Sequence, residues 1–163
     1  MIDRLLPLVL FTACTPQTPK PELVDTGEES PAGQIAVRFS IDPDLVDVMD
    51  ESARGVFYGQ VFDAEQVTAL GPDDGAEVLD SIEHQIDLGS GSVATEIMYT
   101  SVPLTVPEVA VLGFLDSDTN APSTDMGPDG GDPVTLPSEN RFDVQFGSTT
   151  AVTVEFGMLY PSR

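Results

Sequence analysis

From residue 34 onward, apolar and polar side chains alternate along much of the chain with a period of two. Within residues 35–41 every second position is Ile, Val or Phe, and the positions between are polar or small. Successive side chains of a β-strand point to opposite faces, so this alternation predicts a strand with one face in the core. The same pattern predicts three further strands, over residues 82–88, 142–146 and 152–158.

Three other segments are apolar at nearly every position, over residues 55–62, 93–102 and 108–115. Strands that are covered on both faces have this composition. Turn-rich stretches separate the segments, and only short helical turns are expected, within residues 43–52 and after Asp63. The pattern therefore predicts an all-β fold, an antiparallel Ig-like β-sandwich of about seven strands, as one domain over residues 34–163.

One of these strands leads into an acidic segment. Residues 109–120 read Val-Ala-Val-Leu-Gly-Phe-Leu-Asp-Ser-Asp-Thr-Asn, and Gly131-Asp132-Pro133 follows. This arrangement resembles the prealbumin-like (transthyretin-like) sandwich domains of secreted bacterial proteins, although Ala121 stands where those domains typically have glycine. The resemblance covers about residues 34–159. It implies a prealbumin-like β-sandwich and no particular reaction.

The N-terminal region has a different composition. Residues 5–13 are mostly apolar, and this run is shorter than the roughly 20 residues that span a bilayer. It fits the apolar part of a signal peptide. The segment Phe11-Thr12-Ala13-Cys14 resembles the lipobox of bacterial lipoproteins, which implies removal of residues 1–13 and a lipid on Cys14. The alternative is a cytosolic protein with an apolar N-terminal tail.

The residues after Cys14 are typical of a linker. Residues 15–33 are rich in Pro, Thr, Gly and acidic side chains, so we expect residues 14–33 to form a lipidated, disordered tether. Thr15 stands where the inner-membrane retention signal of such lipoproteins typically has Asp. The resemblance therefore implies anchoring in the bacterial outer membrane, on its periplasmic or surface face.

The net charge of the chain restricts the kinds of molecule that can bind it. The formal net charge is −22, from 28 acidic and 6 basic residues. Such a chain is repelled by nucleic acid, whereas metal cations and a cationic surface or envelope protein are suitable partners. With one cysteine and one histidine, the chain cannot form an intramolecular disulfide, and these types supply too few ligands for a typical zinc site. The sequence specifies no oligomeric state.

The longest stretch without a strand pattern is the acidic loop, residues 116–139. Its first part places Asp116, Asp118 and Asn120 at alternate positions, a spacing that supplies oxygen ligands in calcium loops. An EF-hand is excluded, because its required glycine and closing glutamate are replaced by Ala121 and Gly127.

A looser calcium site remains as a prediction, with Asp116, Asp118, Asn120 and Asp125 as its ligands. The alternative is a solvated turn in which these side chains accept hydrogen bonds from nearby backbone NH groups. Asp129 and Asp132, which flank two glycines, are interpreted as turn formers.

Catalytic residues are not evident. His84 lies between Ile82 and Ile86 on the apolar face of its strand, so we expect a core residue and not a catalytic base. The favoured hypothesis is a non-enzymatic, lipid-anchored binding or structural module of the cell envelope. One alternative is a carboxylate-based hydrolase of envelope polysaccharide, which needs two carboxyl groups roughly 5–9.5 Å apart in a cleft. Another is peptide capture by strand addition, which needs a long edge strand without Lys or Pro.

Overall fold

The computed structural model describes residues 31–46, 53–88, 93–94, 96–121 and 127–162. The expected signal peptide, Cys14 and most of the expected tether lie outside these ranges. Asp125, one of the predicted calcium ligands, also lies outside them. Neither helix within the described ranges is long and apolar enough to span a membrane.

The regular secondary structure of the described residues is almost entirely β-strand, which confirms the all-β prediction. The strands are β1 (Gln34–Ile41), β2 (Arg54–Asp63), β3 (Val67–Thr68), β4 (Gly71–Pro72), β5 (Val78–Asp87), β6 (Tyr99–Thr100), β7 (Glu108–Asp116), β8 (Pro133–Thr135), β9 (Arg141–Asp143) and β10 (Thr149–Leu159). A helical turn, α1 (Pro43–Val46), follows β1, and a 3-10 helix (Ala64–Gln66) follows β2. Both short turns fall where the sequence predicts them.

Eight of these strands form one sheet. Its order is β5-β2-β7-β8-β10-β1-β6, with β9 paired to β7 beside this path, while β3 and β4 form a separate hairpin. All pairs are antiparallel except β1 and β10, which run parallel with Gln34 opposite Thr149. Parallel neighbours need a long connection between them, and here that connection is nearly the whole domain. The sheet is therefore mostly antiparallel and not purely so.

Aromatic side chains hold the two halves of the sheet together. Phe39 on β1, Phe57 on β2 and Phe156 on β10 are fully buried. The ring centroids of Phe39 and Phe57 are 4.8 Å apart, and those of Phe57 and Phe156 are 5.7 Å apart in an edge-to-face arrangement. Because β2 and β1 lie in opposite halves of the strand order, these contacts require the sheet to curl around the core.

A single carboxylate joins the two end strands of the curled sheet. The Tyr99 hydroxyl on β6 donates to Oδ2 of Asp80 on β5 at 2.7 Å, and the Val102 backbone NH donates to the same oxygen at 2.9 Å. Burial, followed by the hydrogen bond and charge of Asp80, raises the pKa of Tyr99 well above its usual range. The contact brings together edges that would otherwise be left apart.

The segment 93–102 differs from the prediction of a regular strand covered on both faces. Among the described residues of this segment, only β6 and an isolated bridge between Ser40 and Val93 form. Backbone NH groups of Ala94 and Met98 donate to the carbonyls of Phe39 and Val37 on β1. Val93 and Ile97 are exposed, so the described part of this segment is not covered on both faces.

β7 is the strand that positions the acidic loop. It pairs with β2 along one side and with β9 and then β8 along the other. The fully buried Asn140 fixes this second side, because its backbone carbonyl accepts from Val111 at 2.9 Å. Its side chain also exchanges two hydrogen bonds with the backbone of Glu155 on β10, at 2.7 and 2.9 Å. The chain before β9 is thereby held between β7 and β10.

Candidate metal site

Strand register places two carboxylates opposite one another at the mouth of the acidic loop. Phe114 on β7 pairs with Val134 on β8. Two residues further along, Asp116 ends β7 and Asp132 immediately precedes β8, and continuation of this register places their side chains on the same face. Each is only 3% exposed. Like charges in this position repel, so the pair is costly unless a cation or proton joins it.

A tight turn brings a third carboxylate to the pair. Thr119 adopts a φ of 61°, in the left-handed region, and this reverses the chain after β7. The backbone NH of Asn120 then donates to Oδ1 of Asp116 at 3.1 Å and to Oδ1 of Asp118 at 3.2 Å. As a result, one carboxylate oxygen each of Asp116, Asp118 and Asp132 lie within 4.8 Å of one another. We call these three residues the acidic cluster.

Backbone NH groups partly neutralise the acidic cluster. Asp132 accepts from Ser117 at 3.3 Å and from Asp129 at 3.1 Å, one bond to each of its oxygens. Asp116 accepts from Ala121 at 3.2 Å as well as from Asn120. A carboxylate has about four lone-pair sites, so these bonds leave each residue able to coordinate a cation. The same bonds are also those that the alternative interpretation, a solvated turn, requires.

The electrostatics of the cluster favour a bound positive charge. Burial raises the pKa of Asp132, backbone NH groups of Asp129 and Ser117 oppose the shift, and the charges of Asp129 and Asp116 add to it. Loss of hydrating water raises the pKa of Asp118, the NH of Asn120 opposes this, and the charges of Asp129 and Asp116 add to it. Because the Asp118 side chain is exposed, we relate its raised pKa mainly to the neighbouring negative charges.

The end of β7 reaches this position because β2 carries a glycine beside it. A Cβ atom on Gly55 would collide with the backbone carbonyl of Asp116 and would lie 3.0 Å from the Cα of Ser117. Only a residue without a side chain allows this approach. Gly55 therefore belongs to the structure that supports the cluster, although the sequence alone gives no sign of this.

The predicted ligand set and the observed cluster overlap in part. Asp116 and Asp118 come together as expected, and Asn120 lies beside them, with its amide nitrogen donating to Asp118 at 2.6 Å. A ligand role for Asn120 requires that amide to turn its oxygen towards the ion. Asp132, interpreted from sequence as a turn former, does accept a turn hydrogen bond from Asp129, but it also completes the cluster.

Three carboxylates in this arrangement are suited to a hard divalent cation. Oxygen ligands of this type bind calcium, magnesium or manganese in preference to softer metals. Comparisons with protein-family models, with curated proteins and with solved structures found no match to this chain. The case for a metal therefore rests on the geometry of the cluster.

His84 lies where the alternation predicts it. It sits opposite Phe57 on the core-facing side of β5, half-buried between the buried side chains of Ile82 and Ile86. In the strand order a single strand, β2, separates β5, which carries His84, from β7, which carries Asp116. However, the cluster projects to the opposite face of the sheet, because Asp116 pairs with Val56 and not with a core-facing residue of β2.

Proposed function

We propose that this chain is an exported, lipid-anchored binding or structural module of the cell envelope, with one calcium ion bound by the acidic cluster. The observation that carries the calcium proposal is the convergence of three carboxylates within 4.8 Å, two of them almost fully buried. Asp116 ends β7 and Asp132 immediately precedes β8, so an ion between them links the two ends of the segment that connects these strands.

Calcium suits the cluster better than magnesium does. Calcium accepts six to eight oxygen ligands in flexible geometry, at roughly 2.3–2.6 Å, whereas magnesium demands a near-ideal octahedron. The cluster combines one carboxylate at the end of β7, one just before β8 and one on an exposed turn, and this irregular set favours calcium. Asn120, Asp125, backbone carbonyls and water are the proposed remaining ligands. Calcium sites in extracellular modules typically have dissociation constants of about 10⁻⁴–10⁻³ M.

The anchor and location are supported by the sequence. The lipobox-like segment before Cys14 and the polar tether after it suit a domain that is held away from a membrane, and Thr15 favours the outer membrane. The net charge of −22 favours a cationic surface or envelope protein as the partner. A prealbumin-like arrangement of the strands is part of the same proposal.

Membrane attachment is tested by replacing Cys14 with Ser in the exporting bacterium. We expect the wild-type chain in the outer-membrane fraction and Cys14→Ser in the soluble periplasmic fraction. Thr15→Asp is the matched variant, because it keeps the lipid and should move the chain to the inner membrane. A Cys14→Ser chain that stays membrane-bound would refute the anchor.

Calcium binding is tested by thermal unfolding of the unlipidated chain. At ten times its dissociation constant a ligand stabilises the native state by about 1.4 kcal/mol. For a domain of this size, that corresponds to a rise in Tm of about 3–8 °C. Calcium should produce this rise relative to EDTA, and equal magnesium should not. If Tm does not rise at 10 mM calcium, the calcium proposal is refuted and the acidic loop is a solvated turn.

Peptide capture by strand addition is the second candidate. β5 is ten residues long, contains neither Lys nor Pro, and among the described residues it pairs only with β2. These are the properties that strand addition requires. The contact of Asp80 with Tyr99 engages the beginning of this edge, and the proposed partner strand pairs with Ser81 to Ile86.

A further inference from the structure

A groove of about 600 Å³ lies on the outer face of β5, β2 and β7, away from the core. Tyr58 on β2 is opposite Glu83 on β5 and opposite Phe114 on β7, so the three side chains form one row across the face. Gln60 and Leu112 belong to the next row. We call this surface the outer-face groove.

The β3–β4 hairpin closes one end of the outer-face groove. Pro72 of β4 forms a wall of the groove. Below the hairpin, Phe62, Val67 and Ala110 are buried together in a small apolar cluster that is separate from the main core. Because apolar contacts hold the hairpin against the sheet, the wall is a fixed part of the fold.

The size and charge of the groove restrict what it binds. Sites for small molecules usually enclose about 300–1,000 Å³, with mostly apolar walls and a few polar groups. Among the described residues that line the groove, Glu83 is the only charged one. An anion would therefore be repelled by the Glu83 carboxylate and by the net negative charge of the protein, whereas a cation would be attracted by both charges.

The aromatic residues beside Glu83 favour the same sign of charge. The rings of Tyr58 and Phe114 are 5.6 Å apart and tilted by 36°, and Tyr58 is only half-buried. An exposed aromatic face attracts ammonium groups within about 6 Å. Side chains that are directly opposite on neighbouring strands have Cβ atoms roughly 4.5–5.5 Å apart, so one ammonium group can contact both Tyr58 and Glu83.

We propose that the outer-face groove binds a small organic ammonium compound. Its charged end lies between the Tyr58 ring and the Glu83 carboxylate, and its apolar body lies against Leu112 and Phe114. The proposal does not rest on calcium, because no residue of the acidic cluster lines the groove. Asp116 lies two positions beyond Phe114 on β7, about 6.6 Å along the strand.

The test is a titration of the unlipidated, ¹⁵N-labelled full chain in EDTA, at constant ionic strength, followed by NMR. The probes are choline, benzyltrimethylammonium and 3,3-dimethylbutan-1-ol, the last being a neutral molecule with the shape of choline. We expect both cations to shift the amide signals of Gly59 and Gly113 on the groove floor. Benzyltrimethylammonium should bind more tightly than choline, and the neutral alcohol at least fivefold more weakly than choline.

Matched variants locate the charged end. Tyr58→Leu should weaken benzyltrimethylammonium binding about fivefold, and Glu83→Gln should weaken it at least threefold. Glu96→Gln, which removes an exposed carboxylate outside the groove, should leave it unchanged. Equal binding of the neutral alcohol, or an unchanged affinity in Glu83→Gln, would overturn the proposal. Competition with calcium in a parallel titration without EDTA would also overturn it, since that would place the ammonium in the acidic cluster and leave the calcium proposal intact.

Discussion

Replacing Asp118 with Asn should change the stability of the domain in opposite directions with and without calcium. The carboxylate of Asp118 has an oxygen within 4.8 Å of oxygens of Asp116 and Asp132. Two unit charges at that distance repel by about 0.9 kcal/mol in water and about 3.5 kcal/mol at an effective dielectric constant of 20. Because Asp118 is exposed, the lower end applies, and we expect a gain of about 1 kcal/mol in EDTA.

The substitution retains most of the local geometry. Asn keeps one side-chain oxygen, which can still accept from the backbone NH of Asn120 as Oδ1 of Asp118 does. The hydrogen bond between the two side chains can also persist, because either amide can rotate. The main change is therefore the loss of one negative charge, and with it one strong ligand for an ion.

The assay is urea unfolding of the unlipidated chain at pH 7, in EDTA and in 5 mM calcium. In EDTA the variant should be more stable than wild type by about 1 kcal/mol, and in calcium its advantage should disappear or reverse. Asp74→Asn is the control, since it removes an exposed acidic side chain from the turn after β4. It should show the general effect of one charge on a protein of net charge −22.

Two results would refute this reasoning. If Asp118→Asn is less stable than wild type in EDTA, the carboxylate acts as a turn former whose hydrogen bonds outweigh the repulsion. If calcium stabilises the variant as much as it stabilises wild type, Asp118 is not a ligand.

Four further predictions concern the support of the cluster, its protonation, the closure of the sheet and the core. Gly55→Ala should destabilise the domain by about 1–3 kcal/mol and reduce the calcium-dependent rise in Tm, because the added methyl group displaces the end of β7. Because the pKa of Asp132 is raised in the folded protein, its carboxylate binds a proton more tightly there than in the unfolded chain. The stability of the domain in EDTA should therefore rise as the pH falls from 7 towards about 4. Calcium should flatten that rise in urea unfolding from pH 4 to 7. Tyr99→Phe should cost about 0.5–1.5 kcal/mol in the same assay, since Asp80 loses a donor but keeps two backbone NH partners. Phe57→Ala should cost about 3–5 kcal/mol, whereas Phe146→Ala, at a 43% exposed position, should cost far less.

The local pattern of apolar residues was sufficient to predict the long strands. The alternating residues 35–41 and the continuous apolar runs over 55–62 and 108–115 fall entirely within β1, β2 and β7. The pattern failed where the chain departs from simple pairing. Residues 142–146 predict a strand, yet β9 ends at Asp143, because its partner β7 begins at Glu108, opposite Asp143. The chain then turns at Gly147 with a φ of 79°, and Phe146 is partly exposed.

The candidate site was only partly predictable for a related reason. Asp116 and Asp118 are close in sequence, so their spacing alone indicates a shared turn. Asp132 joins them only because Phe114 pairs with Val134, and no local pattern specifies which strands pair or in which register. The parallel pairing of β1 with β10 was unpredictable on the same grounds.

That parallel pair has a consequence for how the domain is made. β10 lies between β8 and β1 in the sheet, so the core around Phe39 stays incomplete until Phe156 has been synthesised. Contacts between such distant residues require closure of a very large loop, which slows folding. A ribosome therefore handles this chain as an unfolded polymer over most of its length. Under the export proposed above, late completion of the core would keep the chain competent for transport.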